Sequence, residues 1–176
     1  PPRRRARRTK RSTRGLRCSA MTAAGNFWRR EPLQVSYYRL RTMRRLVDEL
    51  TATTRFDAAY VHLFRMAPYM AGHPELYRIV DLTDVVSKEI GLSLPYRGSV
   101  SRLVYGIEES RIARYERWLA QTFEETWLIS EADRRLLAAD CPGTNIRVVP
   151  NGVDLHLFQP TGQTREPNTL IIVGHM

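Results

Sequence analysis

Cysteine is nearly absent from this chain. Cys18 and Cys141 are the only two among 176 residues, one in a basic stretch and one in a turn, so neither a disulfide framework nor a thiolate metal site is implied. Long apolar runs are also missing. Nothing approaches the ~20 residues needed to cross a bilayer, and the Arg-rich start lacks the apolar middle of a signal peptide. The default expectation is a reducing, cytoplasmic setting, with peripheral contact on the inner face of a membrane left open. Acidic residues are absent from residues 1–17, which hold nine of the 28 basic residues; the remainder carries 19 basic against 18 acidic. The net charge of +10 and the pI near 10.3 therefore belong to one end, and the body is almost neutral.

What is present is a globular composition, 43% hydrophobic and 26% charged, enough for one core with appendages. Residues 1–25 are expected to be a disordered tail, since like charges repel and little apolar surface offsets chain entropy. Three readings of that tail stay open: an arm for nucleic acid or an anionic membrane, a solvated linker, and non-native sequence at a truncated end. The first is the alternative function, a small α/β module binding through its basic tail, and the near-neutral body argues against it.

Along the body, Leu40, Met43, Leu46, Val47 and Leu50 recur at helical spacing and predict one helix over residues 36–50 with a buried apolar face. Arg39, Arg41, Arg44 and Arg45 fall off that face, as a solvated basic surface or a contact for anionic lipid or phosphate. Residues 56–64 and 78–84 read as buried parallel strands, joined through a short helix around Met66–Met70 that contains Pro68. A long helix is predicted from about Ser99 to Glu125, with Leu103, Ile107, Tyr115, Leu119 and Phe123 as core candidates and Gly106 as a point of bending or breaking. Residues 126–129 predict a strand and Ser130 a helix cap, with Leu136 and Leu137 on that helix's apolar side. The helix ends before Pro142-Gly143, and residues 146–149 give a last strand. Strands alternating with helices predict an α/β fold, an incomplete Rossmann-like parallel sheet with flanking helices. Ligands of such sheets bind beyond the carboxyl ends of the strands, which carry His62, Asp84 and Ser130. His62 reads as either a packed histidine or a cleft residue, Ser130 as a cap or a ligand contact, and Asp84 as the best cleft candidate, because a carboxylate after an apolar strand needs a partner or solvent.

The string Val148-Val149-Pro150-Asn151-Gly152-Val153-Asp154, followed by Leu157-Phe158 and Pro160, resembles the segment that closes the N-terminal domain of glycosyltransferase family 4, whose GT-B architecture sets two Rossmann-like domains face to face. Trp127-Leu128-Ile129-Ser130-Glu131-Ala132-Asp133 is similar to the strand and Ser-Glu-Ala-Asp step that precedes it in the family. Glu31-Pro32-Leu33, Tyr37-Tyr38-Arg39, Met66-Ala67-Pro68-Tyr69 and the run from Val80 to Lys88 resemble a bacterial branch associated with exopolysaccharide and exosortase-linked sugar transfer. The resemblance implies a partial acceptor-side domain over residues 26–158, with Asn151 and Gly152 making a turn, and a linker over 159–168 that Phe158 and Pro160 help to pack. It also implies the first strand of a donor-binding domain over 169–176. Asn151, Gly152, Asp154 and Gly174 would border the interdomain hinge. The implied reaction is a retaining sugar transfer from a nucleotide-diphosphate sugar to a glycan or lipid-linked acceptor, with no obligatory metal and no cofactor. The family's cationic groups for the diphosphate and its paired glutamates about eight residues apart have no counterpart; Glu108, Glu109, Glu116, Glu124 and Glu125 belong to a first-domain helix. Its opening strand and Gly-rich loop are replaced by the Arg-rich stretch. The chain is therefore expected to be inactive alone.

Overall fold

Four strands, β1 (Ala58–His62), β2 (Tyr77–Thr83), β3 (Glu125–Leu128) and β4 (Ile146–Val148), form one parallel sheet in the order β1-β2-β3-β4. The computed structural model describes residues 31–159, 162 and 167–171; the predicted tail, Pro160 and Gly174 lie outside them. The fold class read from the sequence holds: this is an α/β protein with a parallel sheet. Each connection between parallel neighbours must recross the sheet, and helices do so: a 3-10 helix (Phe64–Tyr69) between β1 and β2, α3 (Val86–Ser93) and α4 (Ser99–Thr122) between β2 and β3, and α5 (Glu131–Asp140) between β3 and β4. Two further helices, α1 (Leu33–Tyr38) and α2 (Arg41–Thr53), precede the sheet.

Strand alternation divides the sheet into two chemically different faces. Val61, Val80, Leu82, Leu128 and Ile146 are buried and meet Val35, Phe64, Ala67, Val85, Ile112, Leu119, Phe123 and Leu137 in one core. The intervening residues Tyr60, His62, Tyr77, Asp81, Trp127 and Arg147 face the other way and keep contact with solvent. Described helices therefore cover one face of the sheet. Arg78 breaks the apolar pattern of the covered face, being only 5% exposed. Its guanidinium makes four hydrogen bonds, however: it donates to both Glu124 carboxylate oxygens and to the carbonyls of Ala71 and Thr122, and lies 5.3 Å from the Phe123 ring centre. Burying an arginine is tolerated only with such extensive pairing.

Helix α4 buries Glu108, Ile112, Glu116, Leu119 and Ala120 in one stripe along its C-terminal half. Its first two turns bury nothing, so Leu103 (67% exposed) and Ile107 (39%) are not core residues as predicted. Gly106 does not break it, for the helix is continuous through that position. The helix predicted over 36–50 is instead broken at Arg39-Leu40, where both residues are extended. The buried Tyr69 hydroxyl holds the break, donating to the Tyr38 carbonyl and accepting from the Leu40 amide at 2.8 Å. Helix α2 then docks by its polar side, through Arg44 to the Pro68 carbonyl and Asp48 to His73. Its apolar positions Met43, Leu46 and Leu50 stay exposed, which corrects the expected buried face. Leu136 is likewise 46% exposed while Leu137 is buried. After α5 the chain turns at Gly143, whose φ of 82° suits glycine alone.

Candidate functional site

In a parallel sheet all carboxyl ends lie along one rim, neighbouring strands being about 4.8 Å apart. His62 ends β1, Thr83 ends β2 and precedes Asp84, Ile129-Ser130 follows β3, and Val149 extends β4 by donating its amide to the Leu128 carbonyl at 2.8 Å. The register thus brings the three sequence-predicted residues His62, Asp84 and Ser130 to one rim.

Their states differ. The His62 side chain is 59% exposed, and its Nδ1 lies 3.1 Å from Asp81 Oδ2. Asp84 is half-buried and has no hydrogen bond or ion pair to any described residue. Ser130 is committed to helix α5: its Oγ accepts from the Asp133 amide at 3.1 Å and donates to Asp133 Oδ2 at 2.7 Å. Asp133 is also paired with Lys88 Nζ at 2.9 Å. Burial would raise the Asp133 carboxyl, but Lys88 and Ser130 outweigh it and hold the group below its ordinary value. Ser130 is thus a cap, and Asp84 is the one of the three without a hydrogen-bond or ion-pair partner among the described residues.

Sequence reasoning passed over Asp81, the hub of the rim. Its carboxylate accepts from the Tyr60 hydroxyl and from the Thr83 amide at 2.9 Å as well as facing His62. That hydrogen bond to Asp81, with some desolvation, pushes the Tyr60 hydroxyl up to about 12. Tyr60 stacks with His62 at 6.5 Å between ring centres and meets Trp127 at 5.6 Å. The signal was available: in Ile79-Val80-Asp81-Leu82 the acid falls on the face opposite Val80 and Leu82.

The rim is also where the backbone is strained. Leu63 has φ 72° and Thr83 φ 69°, positions rarely taken by side chains of their bulk and worth about 1–3 kcal/mol each. The pairing of β2 with β3 slips between Asp81 and Thr83. Strand hydrogen bonds lock both outliers in place: Leu63 N donates to the Asp81 carbonyl at 2.8 Å, and Ile129 N to the Thr83 carbonyl at 2.9 Å. Thr83 Oγ1 is buried without a hydrogen-bond partner. Strain at Leu63 and Thr83, and an unmade hydrogen bond on Thr83 just before Asp84, are features expected of a ligand-binding rim.

Beyond the rim, Asn151, Gly152 and Asp154 are exposed. The expected turn at Asn151-Gly152 does not form, since Gly152 takes no positive φ. Instead Asp154 Oδ1 accepts from the amides of His156 and Leu157, and the turn falls there. Phe158 is 67% exposed, and most of the predicted linker lies outside the described residues. Thr169, Leu170 and Ile171 are exposed and in no strand, and the rest of the predicted strand lies outside the described residues.

Glu108 and Glu116 stand eight residues apart on α4, yet they meet the backbone of two other helices. Glu108 Oε1 accepts from the Leu33 amide at 2.6 Å, at the start of α1. Glu116 accepts from the Ser87 amide at 3.3 Å and from its hydroxyl at 2.5 Å, at the start of α3. Both are remote caps, supplying the oxygen that neither Pro32 nor Val85 offers. Burial raises both carboxyls, Glu116 to about 7. Among the described residues, no group of three or more His, Cys, Asp or Glu side chains could hold a metal ion. No protein-family model, curated protein or solved structure matches this chain.

Proposed function

We propose that this chain is the acceptor-side part of a retaining glycosyltransferase, one that transfers a sugar from a nucleotide-diphosphate donor to a glycan or lipid-linked acceptor in exopolysaccharide or cell-envelope synthesis. The observation that carries the reading is the free carboxylate of Asp84, held between a strained Thr83 and α3 on the rim where parallel α/β sheets receive ligands. The sequence string from Val148 to Asp154 leaves that same rim, at the end of β4. Tyr60, His62 and Trp127 add an aromatic surface of the kind that stacks on sugar rings, and Asp84 can accept from acceptor hydroxyls. Donor binding and the charge stabilisation it needs fall to the other domain of such an enzyme.

The test compares two ligand classes on the purified chain. Short glycans and lipid-linked sugars should bind, nucleotide sugars should not, and Asp84→Asn should weaken acceptor binding by about tenfold, the loss of roughly one charged hydrogen bond. Incubation with radiolabelled sugar nucleotides and membrane lipid acceptors should give no transfer. Turnover by this chain, or acceptor binding indifferent to Asp84, would overturn the assignment.

A further inference from the structure

The first two turns of α4 bury none of their residues although they carry an apolar stripe. Val100, Leu103, Val104 and Ile107 recur at i, i+3, i+4 and i+7, and they are 81%, 67%, 38% and 39% exposed. The end of α3 and the turn that leads into this helix are equally apolar and equally open, with Leu92 67% and Tyr96 91% exposed. Helices α3 and α4 pack on each other, so the two form a hairpin whose tip shows hydrophobic side chains to solvent. A patch of this kind marks an interaction site.

Charge identifies the partner. From Gly91 to Ile107 there is no acidic residue, while Arg97 and Arg102 are present. Arg97 is held in place, its Nε donating to Ser93 Oγ at 3.0 Å and its guanidinium carbon 3.6 Å from the Tyr105 ring centre. Arg102 is exposed. The other exposed apolar helix face, on α2, is interrupted by Asp48 and Glu49 and has no such uniform sign. A second copy docking on the hairpin would set these arginines against each other with no acid to pair them. Anionic phospholipid headgroups suit them, and the aliphatic and tyrosine side chains suit the layer just beneath. No described helix is long and apolar enough to cross a membrane, so the hairpin would lie on the surface.

We infer that the tip of the α3–α4 hairpin, through Tyr96, Val100 and Leu103 with Arg97 and Arg102, docks this protein onto an anionic lipid surface. This stands apart from the glycosyltransferase reading, and its test contains no sugar or lipid-linked acceptor. The full chain is sedimented with phosphatidylcholine vesicles with and without phosphatidylglycerol. The basic residues 1–17 are the same in every variant, so the comparison reads the hairpin. Binding should require phosphatidylglycerol and fall at least about tenfold in Val100→Asp/Leu103→Asp, as expected for withdrawing two aliphatic side chains from the interface. Arg97→Gln/Arg102→Gln should weaken the preference for anionic vesicles relative to the unsubstituted chain, the share owed to residues 1–17 being common to both. In a separate variant, Tyr96→Trp, added fluorescence should be quenched by brominated lipids, which keeps the proposal testable if the Asp variant misfolds. Unchanged binding by the Asp variant, an unquenched Trp at position 96, or a dimer that these substitutions dissolve without any vesicle binding would overturn it.

Discussion

Two glutamates on α4, Glu108 and Glu116, do at the residue scale what N-cap side chains usually do, but from another helix. For Glu116 this has a measurable pH signature. Its carboxyl is raised to about 7 in the folded protein, chiefly by burial, from an ordinary 4.5. Between those values the native state binds more protons than the unfolded state, so its contribution to stability is full below about pH 4.5 and is lost as pH rises through 7. Glu116→Gln should remove that slope and make the protein more stable at pH 8, by on the order of 2 kcal/mol. Urea melts of both proteins from pH 5 to 8 check this, and parallel pH profiles would contradict it. Arg78 predicts the opposite behaviour of a buried charge. Arg78→Ala should cost about 3 kcal/mol or more, because Glu124 and two carbonyls lose their donor together; a loss below 1 kcal/mol in the same melts would show that water replaces it. Neither role was legible in the sequence. Helical spacing marks Glu108 and Glu116 as neighbours on α4 but is silent about Leu33 and Ser87, which are brought to them only by tertiary folding.

Elements were more legible than their packing. Strand and helix order along the body follows from apolar runs and breaks, and Ser130 was read correctly as a possible cap from its position before Glu131 and Asp133. Ser130→Ala should cost about 1 kcal/mol through the lost bond to the Asp133 amide, seen as a lowered thermal midpoint with far-UV spectrum retained; an unchanged midpoint would show that another acceptor takes over. What spacing could not show is which face of an amphipathic element finds a partner. Met43, Leu46 and Leu50 on α2 and Val100, Leu103 and Ile107 on α4 all have core periodicity and all are exposed. In α2 the docking contacts are polar, Arg44 to a carbonyl and Asp48 to His73, and they turn the apolar side outward. The break at Arg39-Leu40 escaped notice for a related reason: it is held by Tyr69, 29 residues from Leu40, through a hydroxyl that bonds both sides of the gap.

For the whole molecule, the sheet is the organising fact. Four parallel strands, covered on one face, leave a rim that gathers His62, Asp81, Thr83 and Asp84 and an opposite face lined by Tyr60, Tyr77 and Trp127. The rim is legible because a parallel sheet dictates where its ends lie; Asp81 is marked only by its alternation with Val80 and Leu82, which does not tell that its face of the sheet stays open. Under the proposed function, acceptor contacts belong on that rim and not on the α3–α4 hairpin. The most direct measurement is a residue-resolved NMR titration of the chain with a short glycan acceptor. Amide shifts should move at His62–Leu63, Thr83–Asp84 and Ile129–Ser130, and Asp84→Asn should move their titration midpoint to about tenfold higher glycan. Shifts confined to other surfaces, or none at millimolar glycan, would contradict the acceptor-side assignment.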